Sequence, residues 1–342
     1  MRVGILTGGG DCPGLNAVLR GFVLRHVQHH GHEAIGFERG WRGVLENRAR
    51  PLAPADVADH WNTGGTILGT SRTNPYKEEN GAARIRATWD ARGLDALVAI
   101  GGEDTLGVAT RLSAEGFALV GVPKTIDNDL SGTDYTFGFD TAINIAAEAI
   151  DRLHTTARSH GRTIVCEVMG RHAGWIGAYA GLAGGAAATL LPEFDIDLAE
   201  VCRVVRERKE KGPGYSIVVV SEGAHLAASG VSTVASATDA FGHERLGGIG
   251  QQLAEAIERE TGCETRAVVL GHIQRGGAPS AYDRVLATRF GVRAADLVEK
   301  REFGIMVALR GTAIVGVPLA EATGTLKTVP PSFYEMIRGV SG

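Results

Sequence analysis

Several features that would identify common protein classes are missing from this sequence. The chain of 342 residues has only four cysteines, none in a CxxC pair, and no Cys/His spacing typical of a zinc site. This usage is typical of a protein in the reducing cytoplasm. The opening residues MRVGILTGGG contain neither a basic n-region nor a cleavage site. We therefore expect a cytoplasmic location.

Charge of one sign and long apolar runs are also scarce. The formal net charge is −4, from 35 basic and 39 acidic side chains, which leaves no polybasic footprint for nucleic acid. The longest uncharged stretch, Trp175 to Pro192, is mostly glycine and alanine and is a poor membrane span. We therefore expect neither a nucleic-acid partner nor insertion into a membrane.

The common nucleotide-binding loops are absent as well. The segment TGGGDCPGLN at 7–16 is not followed by GK[ST], so it is not a P-loop, and Pro13 occupies the last position of GxGxxG. A nicotinamide oxidoreductase is therefore disfavoured. A glycine loop that opens a helix can still bind an anion through main-chain amides and the helix dipole. An ordinary tight turn would have the same sequence pattern.

Glycine is abundant, with 48 residues, and it clusters where apolar runs end. These runs predict strands, and segments with helical spacing separate them. Such alternation is typical of an α/β protein with mainly parallel sheets that are covered on both faces. The predicted strands lie in RVGILTG, ALVAIGG, ALVGVP, TIVCEVMG, ATLLPE, YSIVVVSEGA and TRAVVLG.

Length and strand number favour two α/β lobes that share a large core. The sequence pattern alone does not decide whether the chain crosses between these lobes more than once. No obvious linker marks a boundary. The segment ASGVSTVASATD at 228–239 is predicted to be a loop.

Polar clusters follow the predicted strands at their carboxyl ends, where α/β sheets bind ligands. GGGD follows ILT, GGED follows VAI, and KTIDND follows VGVP, while MGRHAG, SEG and HIQRGG follow later strands. Any one of these clusters could be a solvated turn. Together they predict one large cleft.

The segment PKTIDND at 123–129 is the most specific of these clusters. If it is extended, Thr125, Asp127 and Asp129 share one face and Lys124 lies on the other or turns at the strand end. A carboxylate held at a hydroxyl can take its proton as that oxygen attacks phosphorus. A second carboxylate can hold a metal or tune the first.

Other clusters supply metal and phosphate ligands. In GGEDTLG at 101–107, Glu103 is a candidate ligand of Mg²⁺, because hard cations take carboxylate oxygens. Asp104 could enter the cleft or cap the following helix. In LGHIQRGG, His272 and Arg275 are candidate phosphate ligands, since arginine presents a fork suited to phosphate.

Taken together, these loops resemble those of the 6-phosphofructokinase family. The resemblance runs in order through MRVGILTGGGDCPG, GGTILGTSR, IGGEDT, PKTIDND, GTDYTFGFDTA, EVMGRHAGW, SEG and ETRAVVLGHIQRGGAPSAYDR, over about residues 1–300. It implies two Rossmann-like, three-layer lobes with the active site between them. Residues 1–138 with about 251–300 would form the phosphoryl-donor lobe, and residues 139–250 with about 301–325 would form the fructose 6-phosphate lobe. It also implies Mg²⁺, phosphoryl transfer to the 1-hydroxyl of fructose 6-phosphate, and a homo-oligomer.

The resemblance implies a role for each matching residue. Asp127 would be the general base, with Thr125 beside it and Asp129 as its magnesium-linked support, and Glu103 would serve the metal. The other catalytic and donor-binding residues implied are Gly10, Arg72, Asp104, Lys124 and Arg171. The substrate-binding residues implied are Thr125, Ile126, Asp127, Arg162, Met169, Gly170, Arg171, Glu222, Arg266, His272, Ile273, Gln274 and Arg275. Of these, Arg162 and Arg266 would reach in from a neighbouring subunit.

Two departures from the ATP-dependent bacterial pattern concern the phosphoryl donor. Those members typically have GGDGS and PGTIDND, with glycine where this chain has Asp104 and Lys124. Asp104 would fill the space of a nucleotide α-phosphate and repel it, while Lys124 would place a cation beside pyrophosphate. The Asp/Lys pair resembles the pyrophosphate-dependent members. We therefore expect pyrophosphate with Mg²⁺ as the donor, in a reaction that runs both ways.

Other functions remain open from the sequence. An ATP-dependent member of the same family would use Asp104 only as a helix cap. A catalytically silent subunit on the same fold would have no chemical need for Asp127 or Arg171. The sequence also leaves open whether the oligomer is a dimer or a tetramer, and whether sedoheptulose 7-phosphate is accepted.

Overall fold

The computed structural model describes residues 1–226 and 246–341, so the loop predicted at 228–239 lies outside the described residues. Strands and helices alternate along most of the described chain. The strands are β1 (Arg2–Thr7), β2 (Glu33–Phe37), β3 (Ala49–Leu52), β4 (Ala96–Gly101), β5 (Leu119–Pro123), β6 (Thr163–Val168), β7 (Ala188–Leu190), β8 (Ser216–Ser221), β9 (Thr265–Val269), β10 (Ile305–Arg310) and β11 (Ala313–Pro318).

The helices separate these strands. They are α1 (Leu15–Val23), α2 (Trp41–Leu45), α3 (Pro54–Val57), α4 (Gly81–Arg92), α5 (Glu103–Ala114), α6 (Phe139–His160), α7 (Trp175–Ala183), α8 (Leu198–Glu210), α9 (Ile249–Thr261), α10 (Ala281–Glu299), α11 (Leu319–Thr323) and α12 (Pro331–Val340). A π-helical turn (Leu24–His29) continues α1, and 3₁₀ turns occupy Pro75–Lys77 and Gly271–Arg275. Among the helices of the described residues, none is long and apolar enough to cross a membrane.

The first sheet, as far as the chain is described, has seven strands in the order β11-β10-β5-β4-β1-β2-β3. The central strands are parallel, and β3 and β11 are antiparallel edge strands. Every residue of β4 and β5 is buried, as expected for strands covered on both faces. Helices α1 and α10 pack on one face, and α2, α5 and α11 pack on the other.

The second sheet has four parallel strands within the described ranges, in the order β7-β8-β6-β9. Helices α8 and α9 cover one face, and α6 and α7 cover the other. The C-terminal helix α12 packs on α7, with the rings of Phe194 and Tyr334 stacked 4.2 Å apart. The α/β class with mainly parallel sheets, expected from the alternation of elements, is confirmed.

The two sheets divide the chain differently from the boundaries expected above. β10 and β11, within the segment 301–325, complete the first sheet, because β10 pairs with β5. Helix α9 and β9 belong to the second sheet, although they fall within the segment 251–300 assigned to the first. The boundary prediction is wrong for these segments. Periodicity predicts a strand, but it does not predict which sheet that strand joins.

Parallel pairing brings the carboxyl ends of β1, β4 and β5 to one edge of the first sheet. Thr7 of β1 lies opposite Ile100 of β4, and Gly101 at the end of β4 lies opposite Pro123 at the end of β5. The glycine loop after Thr7 and the polar segments after Gly101 and Pro123 therefore emerge side by side.

Candidate active site

A polar cavity lies at this edge, and segments following six different strands line it. The lining residues are Gly9, Gly10, Arg72, Gly102, Glu103, Asp104, Thr105, Lys124, Thr125, Asp127, Asp129, Arg171 and Arg275. Carboxylates and cationic side chains therefore share one small space. Such a set suits a phosphorylated ligand that carries a metal ion.

The segment after β5 turns instead of continuing as a strand. The main-chain N–H of Asp127 donates to the Thr125 hydroxyl at 3.0 Å, which closes a tight turn. Asn128 follows with φ 52°, in the left-handed region. The condition of an extended segment is therefore not met, and of the two places considered for Lys124 the opposite face is ruled out, whereas a turn at the strand end agrees with the structure. The turn nevertheless brings Thr125, Asp127 and Asp129 to the cavity, and Lys124 joins them there.

Lys124 is buried at the base of the cavity, with only 3% of the residue exposed. Its main-chain N–H donates to the Gly101 carbonyl at 2.9 Å, and its ammonium donates to the Gly10 carbonyl. Burial lowers the pKa of Lys124, and the nearby carboxylates of Asp127 and Asp129 oppose that decrease. The ammonium is therefore held between the glycine loop after β1 and the two aspartates.

The two aspartates have oxygens available for a cation. Asp127 Oδ1 and Asp129 Oδ1 are buried and have no hydrogen-bond partner, which is rare unless water or an ion is bound. Burial, reinforced by Asp127, raises the pKa of Asp129 to about 7. No group of three or more His, Cys, Asp or Glu side chains within residues 1–226 and 246–341 is arranged as a metal site. The two unpartnered carboxylate oxygens fit a hard cation such as Mg²⁺.

The start of α5 presents its acidic residues to the same cavity. Gly102 is the N-cap residue, so Glu103 and Asp104 are the first two residues of the helix. Asp104 is therefore not the N-cap, and the simple capping role considered for it is wrong. The Trp41 indole N–H donates to the Thr105 carbonyl at 3.3 Å and supports this first turn from below.

Arg275 approaches the glycine loop from the second lobe. Its Nη1 donates to the Asp11 carbonyl at 3.4 Å. A Cβ atom placed on Gly10 would lie 2.8 Å from the same nitrogen, so a side chain at this position would displace the guanidinium. The guanidinium and the Lys124 ammonium therefore lie on the two sides of Gly10, consistent with a loop that holds an anion.

Arg171 enters the cavity from the turn after β6. Its φ of 52° is unusual for a side chain of this size, and its N–H donates to Glu222 Oε1 at 3.2 Å. Burial, with a further contribution from Asp127, raises the pKa of Glu222 to about 7. Met169 and Gly170 precede Arg171 in this turn and are buried. Met169, Gly170 and Glu222 do not line the cavity. Glu222 nevertheless fixes the turn through its hydrogen bond with the Arg171 N–H.

Some predicted site residues lie outside the described cavity. The side chain of Ile126 is fully buried in the core, so it has no face toward a ligand. Gln274 is also fully buried, and its Nε2 donates to the Gly271 carbonyl at 3.2 Å. His272 and Ile273 are exposed beside the cavity. The sequence could not predict which side chains of the short 3₁₀ turn are buried and which are exposed.

Arg162 and Arg266 lie at the amino ends of β6 and β9, away from the cavity. Arg162 pairs with Glu264 at 3.3 Å, and Arg266 pairs with the same glutamate at 2.8 Å. The strand between Arg162 and Met169 spans roughly 20 Å at about 3.3 Å per residue. Within one chain, these arginines therefore do not reach the other candidate residues.

Three lining residues were not among the predicted site residues. Gly9, Gly102 and Thr105 all line the cavity, in segments that the sequence marks as polar strand ends. Gly9 has φ 78° and its N–H donates to the Ser71 carbonyl at 3.1 Å. The signal for Gly9 and Gly102 is their place in a run of two or three glycines at a strand end. Thr105 carries no such signal, because threonine in the first turn of a helix is common.

Comparison with known proteins agrees with this geometry. The family model for phosphofructokinase matches residues 2–298. The chain is 61% identical over 336 residues to the pyrophosphate–fructose 6-phosphate 1-phosphotransferase of Amycolatopsis methanolica, covering 98% of each. It is 53% identical over 336 residues to the ATP-dependent 6-phosphofructokinase of Mycobacterium tuberculosis, again covering 98% of each.

Solved structures have the same architecture. The phosphofructokinase of Pichia pastoris in the T-state superposes with a TM-score of 0.84 at 31% identity, over 94% of this chain and 35% of that longer chain. The pyrophosphate-dependent phosphofructokinase of Nitrosospira multiformis has a TM-score of 0.84 at 22% identity, over 96% and 86%. That second likeness concerns the fold alone. From the family match and the extent of the identity, the chain belongs to the phosphofructokinase family.

Proposed function

We propose that this chain transfers a phosphoryl group from inorganic pyrophosphate to the 1-hydroxyl of fructose 6-phosphate, with Mg²⁺, and that the reaction runs in both directions. The observation that carries the donor assignment is Lys124, whose buried ammonium lies against the glycine loop in the cavity that Asp104 also lines. We further propose that it acts in the cytoplasm, in keeping with four free thiols.

The carboxylates support the chemistry of this transfer. The 1-oxygen of the sugar attacks the terminal phosphorus, the bond from that phosphorus to the bridging oxygen breaks, and inorganic phosphate leaves. The Asp127 carboxylate takes the proton of the hydroxyl, and in the reverse reaction it returns that proton to O1. Mg²⁺ near Glu103, Asp127 and Asp129 would neutralise charge on the phosphoryl oxygens. Positioning and electrostatics supply most of the catalysis.

The cationic residues support pyrophosphate as the donor. Lys124, Arg72, Arg171 and Arg275 line one cavity, so a small anion without a nucleoside would have enough cationic partners. The carboxylate of Asp104 would repel a further phosphate. The inorganic phosphate released could occupy the same cationic cavity, which would make the reverse reaction accessible. The relatives of 58–61% identity carry a name that includes pyrophosphate.

An ATP-dependent 6-phosphofructokinase is the second candidate. The observation in its favour is the 52–53% identity, over 98% of the chain, to relatives named as ATP-dependent enzymes. In that case Asp104 would turn away from the nucleotide, which requires only a change of side-chain rotamer. The sugar site and the role of Asp127 would be unchanged.

An oligomer is part of the proposal, because one chain leaves the sugar side incomplete. β9 is an edge strand of the second sheet, and apolar side chains beside it are exposed, including Val269 at 56% and Ile273 at 60%. An exposed edge strand with apolar neighbours suits contact with another chain. A second copy on this face would bring Arg162 and Arg266 toward the first copy's fructose 6-phosphate.

The test is an assay of fructose 1,6-bisphosphate formation with Mg²⁺ and either pyrophosphate or ATP as the only donor. Activity with pyrophosphate and not with ATP is the expected result. Activity with ATP alone would overturn the donor assignment and leave the sugar site standing. Absence of transfer with both donors would overturn the proposed function.

Variants of the two donor residues sharpen this test. We expect Lys124→Gly to lower kcat/KM for pyrophosphate about 10–100-fold, the size of a lost charged hydrogen bond. The double variant Asp104→Gly/Lys124→Gly should gain measurable transfer from ATP, because space and charge are both restored for a nucleotide. Each single variant is the control for the double. If kcat/KM for pyrophosphate is the same in all variants as in the wild type, neither Asp104 nor Lys124 selects the donor.

A further inference from the structure

The C-terminal strap, defined as residues 325–329, runs between the two lobes and contacts the turn that carries the aspartates. The Ser131 hydroxyl donates to the Thr325 carbonyl at 2.6 Å. Leu326 forms an antiparallel bridge with Leu130, directly after Asp129. The strap therefore runs past α11 and is joined by one isolated bridge to the chain beside the catalytic turn.

Lys327 lies at the centre of the strap and directs its ammonium into that turn. Its Nζ donates to Asn128 Oδ1 at 3.1 Å and to the carbonyls of Thr133 and Asp134 at 3.0 and 2.8 Å. An ammonium has three hydrogens, so each meets an acceptor. The main-chain N–H of Lys327 also donates to the Asp129 carbonyl at 2.9 Å. One residue thus holds both ends of the segment 128–134.

Asn128 separates the two catalytic carboxylates, and it is the side chain that Lys327 holds. It is buried, with 2% exposed, and its φ is 52°. Its Oδ1 accepts from Lys327 Nζ and also from the Thr136 N–H at 3.1 Å. Both groups are donors only, so the amide oxygen and not the nitrogen faces them. The hydrogen bonds to the Asn128 side chain therefore hold the left-handed main chain between the two aspartates in place.

The other side of the strap holds the second lobe. The Trp175 indole N–H donates to the Lys327 carbonyl at 2.8 Å. Glu193 Oε1 accepts from the N–H of Val329 at 2.9 Å and from the N–H of Gly174 at 2.8 Å. Gly174 and Trp175 begin α7, three residues after Arg171. The strap therefore connects the aspartate turn of the first lobe to the segment that follows the arginine turn of the second.

A purely stabilising role for Lys327 is the alternative. Burial lowers the pKa of Lys327 to about 8, and Asp134 and Asp129 oppose this decrease. The ammonium is thus the main form at neutral pH, and burying it is unfavourable without acceptors. An apolar side chain against Trp175 would pack at lower cost. The three acceptors, all around one turn, favour a role in fixing that turn.

We propose that Lys327 is a positioning residue for phosphoryl transfer: through Asn128 it sets the separation and direction of Asp127 and Asp129 toward the reacting hydroxyl. The expected effect on phosphoryl transfer rests on the proposed function. The statement that Lys327 fixes the turn rests on the hydrogen bonds alone. Displacement of a catalytic group by about 1 Å can cost on the order of 10²-fold in rate.

Lys327→Met is the main test, because methionine keeps most of the stem and removes the ammonium. Lys300→Met, at the exposed end of α10, is the matched control. We expect Lys327→Met to lower kcat about 10–100-fold while the KM for fructose 6-phosphate changes less than about threefold. Lys327→Arg should give an intermediate kcat. A folded Lys327→Met variant with the kcat of the wild type would overturn the proposal.

Amide hydrogen exchange is a second measurement that needs no substrate. Peptides over 124–137 should exchange faster in Lys327→Met than in the wild type or in Lys300→Met, and unchanged exchange would overturn the proposal. If the wild type transfers a phosphoryl group from neither pyrophosphate nor ATP, the proposed function is wrong. The hydrogen-exchange result then decides by itself whether Lys327 fixes the turn. If Lys327→Met does not fold, Lys327→Arg replaces it. Wild-type kcat and wild-type exchange in Lys327→Arg would then be the contradicting outcome.

Discussion

The donor side and the sugar side of the candidate active site are built differently. On the donor side, Gly10, Asp104, Lys124 and Asp127 follow three neighbouring parallel strands of the first sheet and line a single cavity. These strands are hydrogen-bonded neighbours, so their carboxyl ends have no freedom to separate.

On the sugar side, the candidate residues are spread over the second lobe. Met169 is buried, while His272 and Ile273 are exposed. Arg162 and Arg266 lie at the opposite end of their strands and pair with glutamate on the same surface. In one chain, the ends of adjacent strands bring the donor-side residues together, whereas the sugar-side candidates stay apart. The proposed oligomer would bring these sugar-side residues to one site.

Asp127→Asn gives the largest expected effect and tests the donor side. Asparagine keeps the size of the side chain and removes its capacity to accept the proton, so kcat should fall about 10²–10⁴-fold. The KM for fructose 6-phosphate should change little. Steady-state kinetics, with Asp59→Asn at an exposed position as the control, measure both quantities. A kcat within twofold of the wild type would exclude Asp127 as the general base.

Arg162→Ala gives a smaller effect and tests the sugar side. If Arg162 completes a neighbour's phosphate site, its loss should raise the KM for fructose 6-phosphate about 10–100-fold, as for a lost charged hydrogen bond. Its Nε is buried without a partner, consistent with an unused donor in the single chain. Arg152→Ala, at an arginine whose side chain is 76% exposed, is the control.

Mixing two defective variants tests whether the active site is shared between two subunits or completed within one chain. An oligomer with subunits of Asp127→Asn and of Arg162→Ala would contain sites that have both Asp127 and an intact Arg162 from the neighbour. Activity at low fructose 6-phosphate should then exceed that of either variant alone. A mixture that equals the average of the two would contradict the shared site, and so would an unchanged KM in Arg162→Ala.

Much of the donor side could be predicted from the sequence, because parallel strands give strong local signals. Buried apolar runs such as ALVAIG and LVGVP predict β4 and β5, and polar residues at their ends necessarily meet at one edge. The outer strands of the first sheet, β2, β3, β10 and β11, were not predicted. The strands β2 and β3 are short, and β3 contains Pro51. The sequence of β10 contains no signal that it pairs with β5.

The geometry within the turns could not be predicted either. The bend at Thr125–Asn128 depends on one hydroxyl that accepts from Asp127 and on one left-handed residue. Lys327 contacts Asn128 across 199 positions in the chain. Sequence periodicity contains no information on such a contact, because it depends on how the strap returns between the lobes.

Glu222→Gln gives the smallest expected effect and tests how strongly the two sides interact. The pKa of Glu222 is raised to about 7 by burial and by Asp127, so the folded protein binds more protons than the unfolded chain between pH 4.5 and 7. Wild-type stability should therefore fall as pH rises through that window, by on the order of 2–3 kcal/mol.

Glutamine can still accept from the Arg171 N–H but has no charge to bury, so the free energy of unfolding of Glu222→Gln relative to the wild type should increase between pH 5 and pH 8. Urea unfolding at both pH values measures this difference, with Glu210→Gln at the exposed end of α8 as the control. In an Asp127→Asn background the gain at pH 8 should shrink, because part of the shift comes from that carboxylate. An equal gain in both backgrounds would mean that burial alone acts on Glu222, and that the sugar side does not respond to the charge of the general base.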